Sequence, residues 1–405
     1  MLSAALSILF LLDANILSCN RHAPIDLNHT LNSAYLIGER SVHHKFIVYP
    51  FTAIVSQELM KKALIVNAVD PTVGGVLIKG DKGTGKSTAV RALADLLPHI
   101  PLIEGCPFNC HPENERLMCK SCQQRFEAGE ILPRVTRRME IVDMPLSATE
   151  DMVIGTIDIR RALAEGIKAL EPGILARANR NILYIDEVNL LDDHLVNILL
   201  DAAAMGVNVI EREGISLYHP SRFILVGTMN PEEGELRPQI LDRFGLSVDV
   251  QALQSKEDRL AVMKYRRDFD ADPWNFFERF RAEQEHLSRR IAEAQERLAE
   301  ITVPDAMRER IVTITTELGI RTHRADIVME KTATALAALQ GNDAVEEAHV
   351  TDAALLALPH RMRQLPFDRE KGISAETIER LASGQMVEEI ADFDRKAAVK
   401  KKPLT

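Results

Sequence analysis

The chain has 405 residues, 46% apolar and 27% charged, which suits a globular protein of two or three domains with a substantial core. A formal net charge of −10 argues against a nucleic-acid-binding surface as its main business, and five cysteines in so long a chain do not make a disulfide scaffold. Four of the five fall within residues 106–122, which points to a reducing compartment with a metal site or a local redox element.

Residues 1–44 open with an apolar run over 2–12 that no Lys or Arg precedes, that Asp13 ends, and that is too short to span a bilayer. They are expected to be a poorly ordered extension of a cytoplasmic protein without a membrane span. Five short apolar runs then alternate with helical segments, at 75–79, 139–144, 182–185, 223–228 and 246–250. Apolar strands without polar alternation, separated by helices, predict a parallel sheet covered on both faces, hence an α/β domain over 45–252.

The first run feeds a complete G-x-x-x-x-G-K-S/T loop, Gly80-Asp81-Lys82-Gly83-Thr84-Gly85-Lys86-Ser87, and Thr88 continues into a helical stretch. Its glycines let the backbone turn N–H groups onto phosphate oxygens, and the following helix adds partial positive charge. Lys86 reaches the β- and γ-phosphates and the Ser87 hydroxyl ligates Mg²⁺, so residues 80–88 are expected to bind ATP with Mg²⁺. An insertion at 104–125 carries Cys106, Cys110, Cys119 and Cys122 as C-x₃-C-x₈-C-x₂-C. Four thiolates on a short loop can close a structural Zn²⁺ site or hold an iron–sulfur cluster; free thiols or a regulatory disulfide are the alternatives. His111 reads as a loop residue.

The third run ends in Asp186 and Glu187. Asp186 is expected to hold the Mg²⁺ shell and Glu187 to act as general base on the attacking water. Hairpin-like insertions are expected around 153–164 and 207–218, the second turning at Glu213-Gly214. The fourth run leads to Asn230, placed to orient the water and sense the γ-phosphate. Arg243 lies too far past that strand to serve its own phosphate and suits an arginine finger offered to a neighbouring subunit; an ion pair with a nearby acid is the alternative. A helical linker follows at 253–300, with Leu287, Ile291, Ala294 and Leu298 forming a narrow apolar stripe. Alanine-rich helices at 301–368 form a lid, in which Arg324 is expected to reach back to the nucleotide, and 369–405 is a polar tail.

Loop, Asp-Glu pair, strand-end Asn, finger Arg and lid Arg, in this order, make the layout of an AAA+ P-loop ATPase. Over roughly 49–368 the sequence resembles the ATPase motor (I-type) subunit of magnesium chelatase and the similar ATPase modules of cobaltochelatase-like proteins. The resemblance is carried by Tyr49-Pro50-Phe51-Thr52-Ala53-Ile54-Val55, by the P-loop, and by the stretches 171–180, 184–194, 208–214 and 230–245. It implies an ATPase that couples hydrolysis to insertion of Mg²⁺ or Co²⁺ into a tetrapyrrole. It also implies a ring, usually hexameric, working with an integrin-like-domain subunit and a large porphyrin-binding subunit. By the same resemblance Arg243 and Arg324 match the finger and lid arginines, and Asn230 the first sensor. Two departures stand out. Ser56 replaces the family's glycine in Val-Gly-Gln, and 319–327 is two residues longer than in photosynthetic members, nearer the cobaltochelatase-like modules. No Asp-x-Ser-x-Ser motif is present, so an integrin-like domain is expected from another chain. A MoxR-type chaperone that remodels proteins is the competing class, and the wording of 208–214 and 230–245 favours the chelatase branch.

Overall fold

A computed structural model describes residues 47–157, 170–212 and 215–362, and from Val48 onward they form one unit. The extension at 1–44, the later part of the insertion at 153–164, the Glu213-Gly214 turn and the tail at 369–405 lie outside the described residues. The first half runs α1 (Glu58–Val69), β1 (Val76–Gly80), α2 (Lys86–Leu96), β2 (Ile100–Ile103), α3 (Lys120–Glu127), β3 (Arg134–Arg137) and β4 (Ile141–Asp143). Then come α4 (Glu150–Ile154), β5 (Gly155–Ile157), β6 (Leu170–Pro172), α5 (Ile174–Ala178) and β7 (Ile182–Ile185). The sheet domain closes with α6 (Asp193–Met205), β8 (Val207–Arg212), β9 (Ile215–Pro220), β10 (Ile224–Met229), α7 (Pro238–Leu241) and β11 (Leu246–Val250). Among the described residues five helices follow: α8 (Lys256–Ala271), α9 (Pro273–Arg297), α10 (Asp305–Glu317), α11 (His323–Gln340) and α12 (Glu347–Ala357).

The five apolar runs become one parallel sheet, ordered β11-β1-β10-β7-β4. Side chains alternate faces along a strand, yet both faces here are apolar, which is why the runs show no polar alternation. Val76, Ile78, Tyr184, Val226 and Val248 enter one buried cluster with α1, α2 and the C-terminal helices. Leu77, Leu183, Ile185 and Leu225 enter a second with α5 and α6. All six residues of β10 are buried, and each large aliphatic side chain so placed contributes about 1.5–3 kcal/mol. The sheet is therefore a rigid frame for whatever its strand ends carry.

The first cluster continues through α9, where Ile291 and Ala294 are buried and Leu287 and Leu298 pack against it, into lid residues such as Ala333, Leu336 and Val350. Tyr49, Tyr265, Phe269, Phe276 and Phe280 form a neighbouring aromatic group that ties the Tyr49-Pro50-Phe51 stretch to α8 and α9. Just before α1, Ser56 holds φ 55°, a left-handed conformation that glycine adopts most readily. Its Oγ donates to Asp258 Oδ2 at 2.8 Å, a contact glycine lacks.

Among the described residues, three two-stranded antiparallel ladders decorate the frame. Strands β8 and β9 form one, at the hairpin insertion expected around 207–218, and β5 and β6 another, with β5 inside the insertion expected around 153–164 and β6 past its end. The third, β2 with β3, has no counterpart among the expected strands; it encloses the cysteine-bearing insertion.

Candidate functional site

Because β1 sits between β11 and β10, and β10 between β1 and β7, the carboxyl ends of β1, β7 and β10 converge, the place where open α/β sheets bind ligands. Strand β1 delivers the glycine-rich loop, β7 delivers Asp186 and Glu187, and β10 delivers Thr228, Met229 and Asn230. Together they line a cavity of about 310 Å³. A Cβ at Gly80 would stand 2.1 Å from the Val250 carbonyl oxygen, so no larger residue fits there. Gly85, at φ 86°, is the N-cap of α2, whose first residues Lys86, Ser87 and Thr88 line the cavity with a helix N-terminus. The Lys86 ammonium donates to the carbonyls of Gly80 and Asp81, the latter at 2.8 Å, and burial lowers its pKa.

Asp186 sits in a knot of hydroxyls. Thr228 Oγ1 donates to its Oδ1 at 2.6 Å, and the Tyr184 hydroxyl lies 2.9 Å from the same oxygen and 3.0 Å from Ser87 Oγ. Burial raises the Tyr184 pKa, so the phenol keeps its proton. One phenol therefore bridges a carboxylate and a hydroxyl, the hard oxygen ligands that suit Mg²⁺.

Glu187 holds φ 55°, a conformation rare outside glycine. Its N–H donates to Thr228 Oγ1 at 3.3 Å, and its carboxylate meets Lys82 Nζ at 3.4 Å. Lys82 also pairs with Glu233 at 2.5 Å. Such strain persists only where the surroundings hold it, and it concentrates at working sites. Asn230 is buried, and its Oδ1 accepts from the Glu232 N–H at 3.2 Å, which fixes the plane of the amide at the cavity wall.

Arg243 and Arg324 do not line this cavity. The Arg243 guanidinium pairs with Asp201 and Asn197 of α6, the latter at 2.5 Å. Arg324, in the first turn of α11, lies 3.7 Å from the Asp242 carboxylate. Beside them is a residue that no motif marked. Arg361, at the end of the lid, donates to the carbonyls of Asp242 at 3.0 Å, Phe244 at 2.7 Å and Gly245 at 2.8 Å, and lies 3.3 Å from the Asp242 carboxylate. Burial pulls its pKa down to about 10 while Asp242 opposes the shift. Breaking a buried pair of this kind costs about 3–5 kcal/mol, the lower end applying here because Asp242 is partly exposed. The lid is thus fastened directly to the segment that carries Arg243.

A family model described as AAA domain (dynein-related subfamily) matches residues 124–244, and one described as AAA lid domain matches 308–381. The magnesium-chelatase subunit ChlI homolog of Methanocaldococcus jannaschii is 60% identical over 321 residues, which cover 79% of this chain and 87% of that one. The chain belongs to the magnesium-chelatase ChlI family. Another member, the magnesium-chelatase subunit ChlI of Nostoc sp., is 50% identical over 322 residues, covering 80% of this chain and 86% of its own. At the level of the fold alone, a crystal structure of a Cytophaga hutchinsonii protein matches 88% of this chain and 98% of its own, with a TM-score of 0.54 at 18% identity. The ChlI-family chain is an AAA+ α/β ATPase with a C-terminal helical lid.

Away from the strand ends of this ChlI-family chain, the four cysteines meet beneath the β2–β3 ladder. Cys110, Cys119 and Cys122 are buried and Cys106 is half-buried, and their sulfurs all lie within 4.8 Å of one another. Hydrogen bonds from Cys110, Cys119 and Cys122 hold the Cys106 thiol far below the ordinary range, while Cys110, donating to Cys106, is driven far above it. His111 is turned away as a cap: its Nδ1 accepts from the N–H groups of Glu113 and Asn114, both at 3.0 Å. Among the described residues, no helix is long and apolar enough to cross a membrane.

Proposed function

We propose that this chain is the motor subunit of a metal chelatase, coupling ATP hydrolysis to insertion of Mg²⁺, or Co²⁺, into a tetrapyrrole. The observation that supports it most is the convergence of Ser87, Asp186 and Glu187 on one cavity, in a chain 60% identical to a ChlI homolog. Residues 80–88 wrap the triphosphate, and Lys86 exchanges the carbonyls of Gly80 and Asp81 for the β- and γ-phosphates. Ser87 and Asp186 hold Mg²⁺, which supplies neutralisation of charge on the β- and γ-oxygens. Glu187 takes the proton of the attacking water and Asn230 orients that water.

Arg243 leaves Asp201 to serve the nucleotide of a neighbouring copy, and Arg324 reports the state of the site to the lid; both roles need a ring, in this family usually a hexamer. The ring works with an integrin-like-domain subunit and a large porphyrin-binding subunit, in the cytoplasm. The remodelling-chaperone alternative would use the same centre, and no observation favours it here.

The Lys86→Ala protein tests the nucleotide site. Loss of a desolvated charge contact worth about 2–5 kcal/mol should weaken ATP binding at least about 30-fold by calorimetry. Unchanged affinity would mean that the loop does not hold the triphosphate.

A further inference from the structure

The cysteine quartet takes no part in the ATPase chemistry, and nothing at the nucleotide cavity requires it. We infer that Cys106, Cys110, Cys119 and Cys122 bind a single Zn²⁺ ion as a tetrahedral thiolate site, and that this ion braces the base of the β8–β9 hairpin through the loop at 106–110.

Geometry selects the occupant. A tetrahedral Zn²⁺ with Zn–S bonds of about 2.3 Å sets its sulfurs about 3.8 Å apart. Here all four sulfurs lie within 4.8 Å of one another, and the Cys122–Cys106 pair is at 3.5 Å. Small side-chain rotations, which draw the wider pairs in and let the Cys122–Cys106 pair open slightly, reach the tetrahedral distance. A four-iron cluster instead places each thiolate on its own iron, outside the cluster, and spreads the sulfurs further than this nest allows. The backbone is already arranged for thiolates. Cys119 is the N-cap of α3, and its N–H donates to Cys110 Sγ at 3.0 Å. Asn109, at φ 50°, turns the chain between the first two cysteines.

Energetics point the same way. Apart from the cysteines, the cluster under this insertion is built from Ile103, Met118, Leu132 and Phe108. So few apolar groups do not order an insertion of this length, and metal binding free energy becomes local folding free energy.

The same loop is fastened to the ATPase frame. Asn109 Nδ2 donates to the carbonyls of Arg177 and Asn179 at 3.1 and 3.2 Å, and Asn179 Nδ2 donates to the Phe108 carbonyl at 2.6 Å. The Phe108 ring stacks on His219 of β9 with centroids 4.8 Å apart, and His219 Nε2 lies 3.0 Å from Asn208 Nδ2 on β8. An ion that fixes the Cys106–Cys110 turn therefore fixes the ring on which the hairpin rests.

The test uses the full chain purified anaerobically with its thiols reduced. Elemental analysis should find about one zinc per chain. Metal-free protein titrated with Co²⁺ should take up one ion, with thiolate-to-cobalt charge-transfer and tetrahedral ligand-field absorption. The Cys119→Ser/Cys122→Ser protein should bind neither, yet keep its ATP affinity, which reports that the domain is folded. Removing zinc from the parent should expose residues 104–133 to protease. Iron with inorganic sulfide, failure of the metal-free parent to take up zinc or cobalt, zinc retained by the double variant, or protease resistance unchanged by its removal would each overturn the inference.

Discussion

The Glu187→Gln protein is expected to bind ATP as tightly as the parent and to hydrolyse it about 10²–10⁴-fold more slowly, the usual contribution of a positioned general base. The two effects separate because the structure separates them. In the proposed mechanism Lys86, Ser87 and Asp186 serve phosphate and Mg²⁺, while Glu187 stands at the next position with its own contact to Lys82. An amide keeps the shape of the side chain and the Thr228 contact of the backbone N–H, and removes only the basic oxygen. Calorimetry with ATP, alongside phosphate release under single-turnover conditions, checks both halves. Normal turnover would remove Glu187 from the mechanism; lost binding would place it in the Mg²⁺ shell.

The second large effect concerns Arg243. Its substitution by alanine should leave ATP affinity close to normal, because the guanidinium lies with Asp201 and Asn197 and lines no part of the cavity. Hydrolysis should fall by about 10³-fold, the scale of an arginine finger. The fold should survive, since the Arg243–Asp201 pair is partly exposed and such pairs contribute about 0–1 kcal/mol. Mixed with Lys86→Ala, the Arg243→Ala protein should regain part of its activity, because at a mixed interface one copy supplies the intact loop and the other the intact finger. Absence of rescue at every mixing ratio would leave Arg243 without a role across the interface.

What the sequence made legible was whatever depends on neighbours along the chain. The P-loop is contiguous, and its glycines and Lys86 carry their reason within eight residues. Asp186 and Glu187 stood out because an apolar strand ending in two carboxylates lies downstream of a P-loop. Tyr184 and Thr228 were within reach of the same logic: each is a polar residue near the end of an apolar strand, and period-two alternation places both on the face of Asp186. The β2–β3 ladder was hidden because Pro101 breaks one strand and Arg134 and Arg137 bracket the other, so neither reads as an apolar run. Arg361 was hidden for a different reason. Its partners at Asp242, Phe244 and Gly245 lie 116–119 residues upstream, and nothing local marks the end of a lid helix as the place where a buried cation meets them. The positive φ of Ser56 and Glu187 is likewise a product of packing.

In the proposed function, ATP hydrolysis by this chain drives metal insertion elsewhere. The direct measurement follows metalloporphyrin fluorescence in a mixture of porphyrin, Mg²⁺, MgATP and the integrin-like and porphyrin-binding subunits, with this chain present, absent or replaced by its Glu187→Gln variant. Insertion should require the chain, and it should stop with the variant although ATP remains bound. Equal rates of insertion with and without the chain, or full insertion driven by Glu187→Gln, would contradict the account.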